Sequence, residues 1–280
     1  MNRGRIFWAS RFPVYCALIC ATLLLGLPFF WMVLTSLKSA QEVAVYPPRW
    51  WPQTLLWANY AEAWSSAPFA RFYWNSIVVA CAGAALQING ALLMAYAFAI
   101  IRFPGKTLLL VAVISTMIVP EEMKLVPNFL LLNKLGWIDT YAGLIVPGIA
   151  QAFPVFVLHQ QFRQLPGSLI EAAKADGAGH GRILWQIAIP MSKPVLTATA
   201  LVALLGQWNA YLWPLVITNS SIMRTLPLGL AYLRKQAEEG SAPWNLLMAA
   251  AVFSIVPVVI LYVFAQKQFV EGIMRGALKG

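Results

Sequence analysis

The chain has 280 residues, of which 60% are apolar and 11% charged, against about 45–50% and about 25% in a soluble domain. So few charges cannot cover a water-soluble globule of this length, which excludes a soluble enzyme or binding domain and marks an integral membrane protein. The net charge is +10, from 20 basic and 10 acidic residues, yet no dense basic run is interleaved with aromatics, so nucleic acid is excluded as a partner.

Charge-free stretches predict the crossing elements. In chain order they cover 12–37, 72–101, 107–120, 140–162, 194–223 and 240–266. About 20 helical residues cross a hydrocarbon core of about 30 Å, so five stretches suffice alone. The third has 14 residues and reaches spanning length only by running on through Glu121, Glu122, Met123 and Lys124. Its outer half is therefore expected at the interface or against protein. The expected fold is an all-α polytopic membrane protein, a single transmembrane domain over 1–280. Its six transmembrane helices are expected at 12–37, 72–101, 107–132, 140–162, 194–218 and 245–267.

The first stretch follows Arg3, Arg5 and Arg11. It exceeds a signal-peptide core of about 7–15 residues and precedes no small-x-small cleavage site, so it reads as a retained signal-anchor helix. Cys16, Cys20 and Cys81 all fall in apolar stretches and read as small packing residues. The next loop, 38–71, holds Pro47-Pro48, Trp50-Trp51-Pro52, Trp57 and Trp64. Prolines break helices and Trp favours the headgroup level, so an interfacial cuff on the outer membrane surface is expected. Gly105-Lys106-Thr107 imitates the end of a phosphate loop, but Ile100 stands where the leading glycine is required and Pro104 precedes the Gly. It is not a nucleotide site.

With six spans, both termini and the second and fourth loops share one side. That side carries 12 bases and 3 acids, net +9, and the other carries 8 bases and 7 acids, net +1. The positive-inside rule puts both termini in the cytoplasm.

Within the spans the polar features are Asn75, Gln87, Asn89, Gln151, Gln207, Trp208, Asn209, Tyr211 and Trp213. Such side chains face a bundle interior or a watery cavity. Gln207 and Tyr211 are spaced to share a helix face, whereas Gln87 and Asn89 are not. Gln87, Asn89, Gln151, Gln207, Trp208, Asn209 and Tyr211 form a candidate substrate path, because amides and aromatic rings suit a polyhydroxyl solute. The same amides serve equally as interhelical bonds of about 0.6–2 kcal/mol. His159 is expected to pack or cap. The spans hold no chain of ionisable groups to relay protons. No His-Glu-x-x-His, Cys-x-x-Cys or Gly-x-Ser-x-Gly motif occurs, so no catalytic residue and no metal site is predicted.

The most specific segment is the inward loop 163–193. It reads Leu165-Pro166-Gly167-Ser168-Leu169-Ile170-Glu171-Ala172-Ala173-Lys174-Ala175-Asp176-Gly177-Ala178 and closes on Ile187-Ala188-Ile189-Pro190. Ser168 and Glu171 have the spacing of a capping box. The alanines favour a narrow helix, and Gly177 is placed to stop it at positive φ before a second short helix near 181–189. A short, small-faced helix suits insertion into a partner's groove; a plain helical link between two spans explains the same residues.

Glu-Ala-Ala-x-x-Asp-Gly-Ala, with Ile-x-x-Pro closing the loop, resembles the coupling loop of permease subunits of binding-protein-dependent ABC importers. Trp208-Asn209-x-Tyr211-x-Trp213-Pro214, Trp244-Asn245 and the tail Phe269-Val270-x-Gly272…Gly276-Ala277-x-Lys279-Gly280 are similar to the carbohydrate-uptake branch, and most to its maltose-type second permease subunit. The resemblance implies the type I importer permease fold in a bacterial or archaeal cytoplasmic (inner) membrane. The coupling residues it implies are Glu171, Ala172, Ala173, Asp176, Gly177, Ile189 and Pro190. The implied partners are a second permease chain (forming a heterodimer), two ATP-binding-cassette ATPase subunits, and an extracytoplasmic solute-binding protein delivering a sugar or oligosaccharide. Loop 218–244 would reach the binding protein and tail 268–280 the ATPases. No cofactor is expected on this chain, since ATP and Mg would sit on the ATPase, so the chain itself is not an enzyme. Glycerol-3-phosphate permeases share several of these motifs. A self-sufficient six-span carrier or channel would need ion-coupling charges or a selectivity ring, and the sequence has neither.

Overall fold

The computed structural model describes the backbone of residues 3–240 and 242–277, and the side chains of 13–240, 242–263 and 266. All regular structure among them is helical. Three helices are long and apolar enough to cross a membrane unbroken: Pro13–Ser36 within Arg3–Ser36, Phe69–Ile100, and Trp244–Val263 within Trp244–Ala277.

The other three predicted spans are interrupted. The third runs as Lys106–Ser115 and Thr116–Ile118, breaks at Pro120, and resumes as Glu121–Lys124 and Leu125–Lys134. Pro120 removes a backbone donor, and three charges in the tetrapeptide that follows oppose burial in hydrocarbon. The fourth is divided into Tyr141–Gly148 and Ala152–Arg163, bent by 44°. The fifth is divided into Lys193–Trp208 and Leu212–Ile217. The chain forms two compact units, Met1–Ala67 with Leu230–Val256 and Pro68–Gly229 with Pro257–Gly280.

In the first unit the outward loop is tied down by polar side chains. Asn59, 5% exposed, donates to the carbonyls of Ser36 and Lys38, each at 2.8 Å. The Ser36 and Tyr60 hydroxyls meet at 2.8 Å. Ser39 and Glu42 form a full capping box, and the second oxygen of Glu42 accepts from the Gln53 N–H at 2.8 Å. The backbone N–H groups of Ser39 and Gln53 hold the Glu42 carboxyl below its ordinary pKa. Lys38 is buried, which pushes its ammonium pKa down; it donates to the Arg49 carbonyl and lies 4.4 Å over the Trp31 ring. Trp50 and Trp51 meet Trp31 and Phe30 edge-on at 5.1 and 5.9 Å while staying half-exposed or more. The outward helix Leu226–Glu238 carries exposed i,i+4 pairs, Arg234–Glu238 at 2.8 Å and Lys235–Glu239 at 3.7 Å.

In the second unit, Phe69–Ile100 is the central post. Ala80, Gly83, Ala84, Ala91 and Ala95 are buried along it, and small residues let neighbouring helices approach closely. Its inner half packs Ile88, Leu92, Tyr96 and Phe98 with Val155, Leu158 and Phe162, and with Ile170, Ile183, Leu184 and Ala188 of the inward loop. Asn75 is interhelical glue: its amide donates to the Ile222 and Arg224 carbonyls at 2.8 Å and accepts from the Tyr141 hydroxyl at 2.6 Å. Lys106 caps the post, donating to the Ile101 carbonyl at 3.0 Å, so the phosphate-loop imitation is a helix terminus. His159 is buried, as a packing residue is. Cys16 is half-buried, and Cys20 and Cys81 lie on faces turned away from this chain's own core.

Candidate functional site

The three interruptions surround one cavity of about 500 Å³ in the second unit. Glu121 and Lys124 come from the third span, Gly148, Ala150 and Gln151 from the fourth, Gln207 and Ala210 from the fifth, and Gln87 from the unbroken second helix. Non-helical backbone is tolerated at membrane depth only against protein or beside a water-filled cavity, so the breaks and the cavity explain each other. Freed carbonyls and N–H groups at helix ends add polar edges to the wall.

Of the seven candidate path residues, the fold brings Gln87, Gln151 and Gln207 to this wall and leaves Asn89, Trp208, Asn209 and Tyr211 out of it. Asn89 is exposed and donates to the Ala85 carbonyl of its own helix at 2.8 Å. Trp208 meets Tyr73 edge-on at 6.4 Å. Gln207 and Tyr211 do not share a continuous helix face, contrary to their spacing, because the helix ends at Trp208 and Tyr211 stands before the next one.

Glycines make room for the Gln207 amide. A Cβ on Gly83 would come within 3.1 Å of its Cδ, and one on Gly148 within 2.8 Å of its Nε2. The Gln151 amide donates to the Glu121 carboxylate at 2.9 Å. Glu121, Lys124 and Asn128 were not among the sequence candidates; the signal for Glu121 and Lys124 was the charged tetrapeptide 121–124 inside an apolar stretch. Trp213 also lines the cavity, its indole fixed by a 2.9 Å bond to the Gly143 carbonyl. Donors, acceptors, an aromatic ring and one charge of each sign can hold a polyhydroxyl solute without fixing it covalently.

The second candidate element is the inward hairpin. Gly167–Ala175 ends in a Schellman motif: Gly177 has φ +77°, its N–H donates to the Lys174 carbonyl at 3.0 Å, and Ala178 donates to Ala173 at 2.9 Å. The stop at Gly177 thus takes the form expected. The Ser168–Glu171 capping box does not form, since the helix starts at Gly167 and Ser168 already lies inside its first turn. Glu171, Ala172, Asp176, Gly177 and Pro190 are exposed, and Ala173 and Ile189 are half-buried against the core. A second helical stretch, His180–Met191, contains a π-turn at Leu184–Ala188 and bends by 86° into Lys193–Trp208. The tail motif lies where side chains are outside the described residues.

Residues 6–275 match the family described as "Binding-protein-dependent transport system inner membrane component". The chain is 35% identical over 267 residues to the sn-glycerol-3-phosphate transport system permease protein UgpE of Rhizobium meliloti (strain 1021), covering 92% of this chain and 94% of that one. It is 33% identical to the protein of the same name from Brucella abortus (strain 2308), with the same coverage. Among solved structures, a chain of a bacterial ABC transporter importing the acidic polysaccharide alginate superposes with a TM-score of 0.80 at 26% identity, over 96% of this chain and 98% of that one. A chain of a bacterial alginate ABC transporter in complex with a pentasaccharide-bound periplasmic protein shares the fold, with a TM-score of 0.66 at 16% identity. Fold and sequence agree: this chain belongs to the inner-membrane permease components of binding-protein-dependent ABC importers.

Proposed function

We propose that this chain is one of two permease subunits that together form the pathway for a sugar or oligosaccharide delivered by an extracytoplasmic solute-binding protein. ATP is hydrolysed on two separate ATPase subunits, where ATP and Mg bind. The hairpin with Glu171, Ala172, Ala173, Asp176, Gly177, Ile189 and Pro190 seats in the ATPase. The observation that carries this reading is that hairpin: it exposes a short, small-faced helix closed by a rigid glycine stop, while its other face joins the core of the spans. ATP-driven closure would then shift the helix bundle between two states, provided that nucleotide and solute each bind those states unequally.

The cavity supports the solute class. Its volume of about 500 Å³ lies in the range of small-molecule sites, roughly 300–1,000 Å³. Gln87, Gln151 and Gln207 offer both donors and acceptors to hydroxyl groups. A second reading, glycerol-3-phosphate, is favoured by the relatives named above and by Lys124 in the cavity wall. Titrating the cognate binding protein with neutral oligosaccharides and with glycerol-3-phosphate separates the two. The complex assembled from neighbouring gene products should take up the bound solute only with ATP; uptake by this chain without an ATPase would end the proposal.

A further inference from the structure

The inward hairpin is joined to the spans by many apolar contacts and by one directional link to the central post. Tyr96, in the last turns of Phe69–Ile100, is 4% exposed. Its ring stands edge-on to Phe162 at 6.4 Å and to His180 at 5.9 Å. Its hydroxyl lies 3.1 Å from His180 Nδ1. A buried hydroxyl left without a partner is costly, so this tyrosine holds its histidine in place. The bond forms whichever of the two atoms donates.

His180 begins the second helical stretch of the hairpin, directly after the Gly177 stop. Its neighbours Gly179 and Gly181 carry no side chain and have open space around them. The exposed His180 ring thus supplies this point's hydrogen bond to the post, beside the apolar anchors Ile183 and Leu184. Apolar packing is non-directional and tolerates sliding, whereas a hydrogen bond sets a register.

The post leads from this link to the cavity. Gln87 lies nine residues before Tyr96 on the same unbroken helix, about 13 Å along its axis. The third, fourth and fifth spans are all interrupted beside the cavity. From the two ends of the hairpin, Ala152–Arg163 and Lys193–Trp208 also reach the cavity wall as continuous helix; the post is reached through the Tyr96–His180 bond. We propose that His180 and Tyr96 are positioning residues for coupling, and that their hydrogen bond carries movement of the hairpin into the second helix and so to Gln87. This rests on the reading of the hairpin as the ATPase-contacting element.

The test uses the complete importer complex in membranes, with Cys16, Cys20 and Cys81 replaced by serine and a reporter cysteine introduced by Gln87→Cys. Labelling by a maleimide is timed with and without ATP plus orthovanadate. The nucleotide-dependent change in labelling rate should fall by a factor of about 2–10 in Tyr96→Phe and in His180→Leu, the worth of one net hydrogen bond. ATPase co-purification and basal hydrolysis should persist in both. The double variant should lose no more than either single one, because the two residues share one interaction. His180→Asn, which keeps an acceptor near the Nδ1 position, should restore most of the change. An undiminished change in Tyr96→Phe, additive losses, or a His180→Asn as defective as His180→Leu overturns the link and leaves the hairpin reading standing. No nucleotide-dependent change in the parent complex overturns the hairpin reading, and the link with it.

Discussion

Two connections between spans are built on opposite principles. The outward loop, 38–67, is held by polar side chains reaching backbone: Asn59 bridges two carbonyls, Glu42 gathers two N–H groups, and Lys38 reaches the Arg49 carbonyl. The inward hairpin, 163–193, is held by apolar burial and a glycine stop, with Tyr96–His180 as its directional bond to the spans. Side-chain-to-backbone bonds lock a loop in one geometry. Apolar packing lets a segment shift as a body without leaving polar groups unpaired. Under the proposed function, the difference fits the outward loop as scaffold and the hairpin as a moving part.

The sharpest way to break this contrast is Gly177→Val. Left-handed backbone costs a residue with a side chain about 1–2 kcal/mol, so binding-protein-stimulated ATP hydrolysis should fall on the order of tenfold while membrane insertion stays intact. Unchanged stimulation would remove the hairpin from coupling. Next, Asn59→Ala strands two buried carbonyls at a cost of about 1–3 kcal/mol. It should lower the Tm of the purified complex and leave the ratio of stimulated to basal hydrolysis alone; a changed ratio with an unchanged Tm would reverse the assignment of scaffold and moving part.

A smaller effect is expected at the cavity. Gly148→Ala places a methyl 2.8 Å from Gln207 Nε2 and should raise the KM of uptake several-fold. Gly90→Ala, with nothing within 4 Å, is its control, and equal KM values in the two variants would detach Gln207 from the solute. The mildest prediction concerns pH. The Glu42 carboxyl is held below its ordinary pKa, so its contribution is complete above the unfolded value of about 4.3 and is lost as pH falls through the folded value. Amide exchange at Ser39 and Gln53 should speed up on acidification beyond its intrinsic change, and not in Glu42→Gln. Equal acceleration in both proteins would count against this capping role.

The crossing segments were legible because charge is excluded from hydrocarbon, and counting uncharged residues measures that exclusion directly. The interruptions were not. An apolar run reports where a chain can cross, not whether its backbone stays helical, and only Pro120 and Pro147-Gly148 hinted at the breaks. Gly177 was readable because positive φ is a local demand of a helix stop. Ser168-x-x-Glu171 does not form a capping box because a box depends on where the helix starts, and Pro166-Gly167 starts it two residues early. The same spacing at Ser39 and Glu42, not singled out in the sequence, forms the box in full. Among the path candidates, Gln87, Gln151 and Gln207 meet through tertiary packing that no spacing encodes, and Glu121 joins them through its bond to Gln151.

The broken spans also bear on how such a pathway can diversify. Where helices end, the cavity wall presents peptide groups, and every residue type except proline supplies the same N–H and C=O. A substitution at Ala150 or Ala210, both on the wall, changes the shape of the passage while leaving its main-chain hydrogen-bonding groups in place. Relatives that share only a third of their residues can thus keep the means of passing a hydrated solute and still differ in which solute they admit.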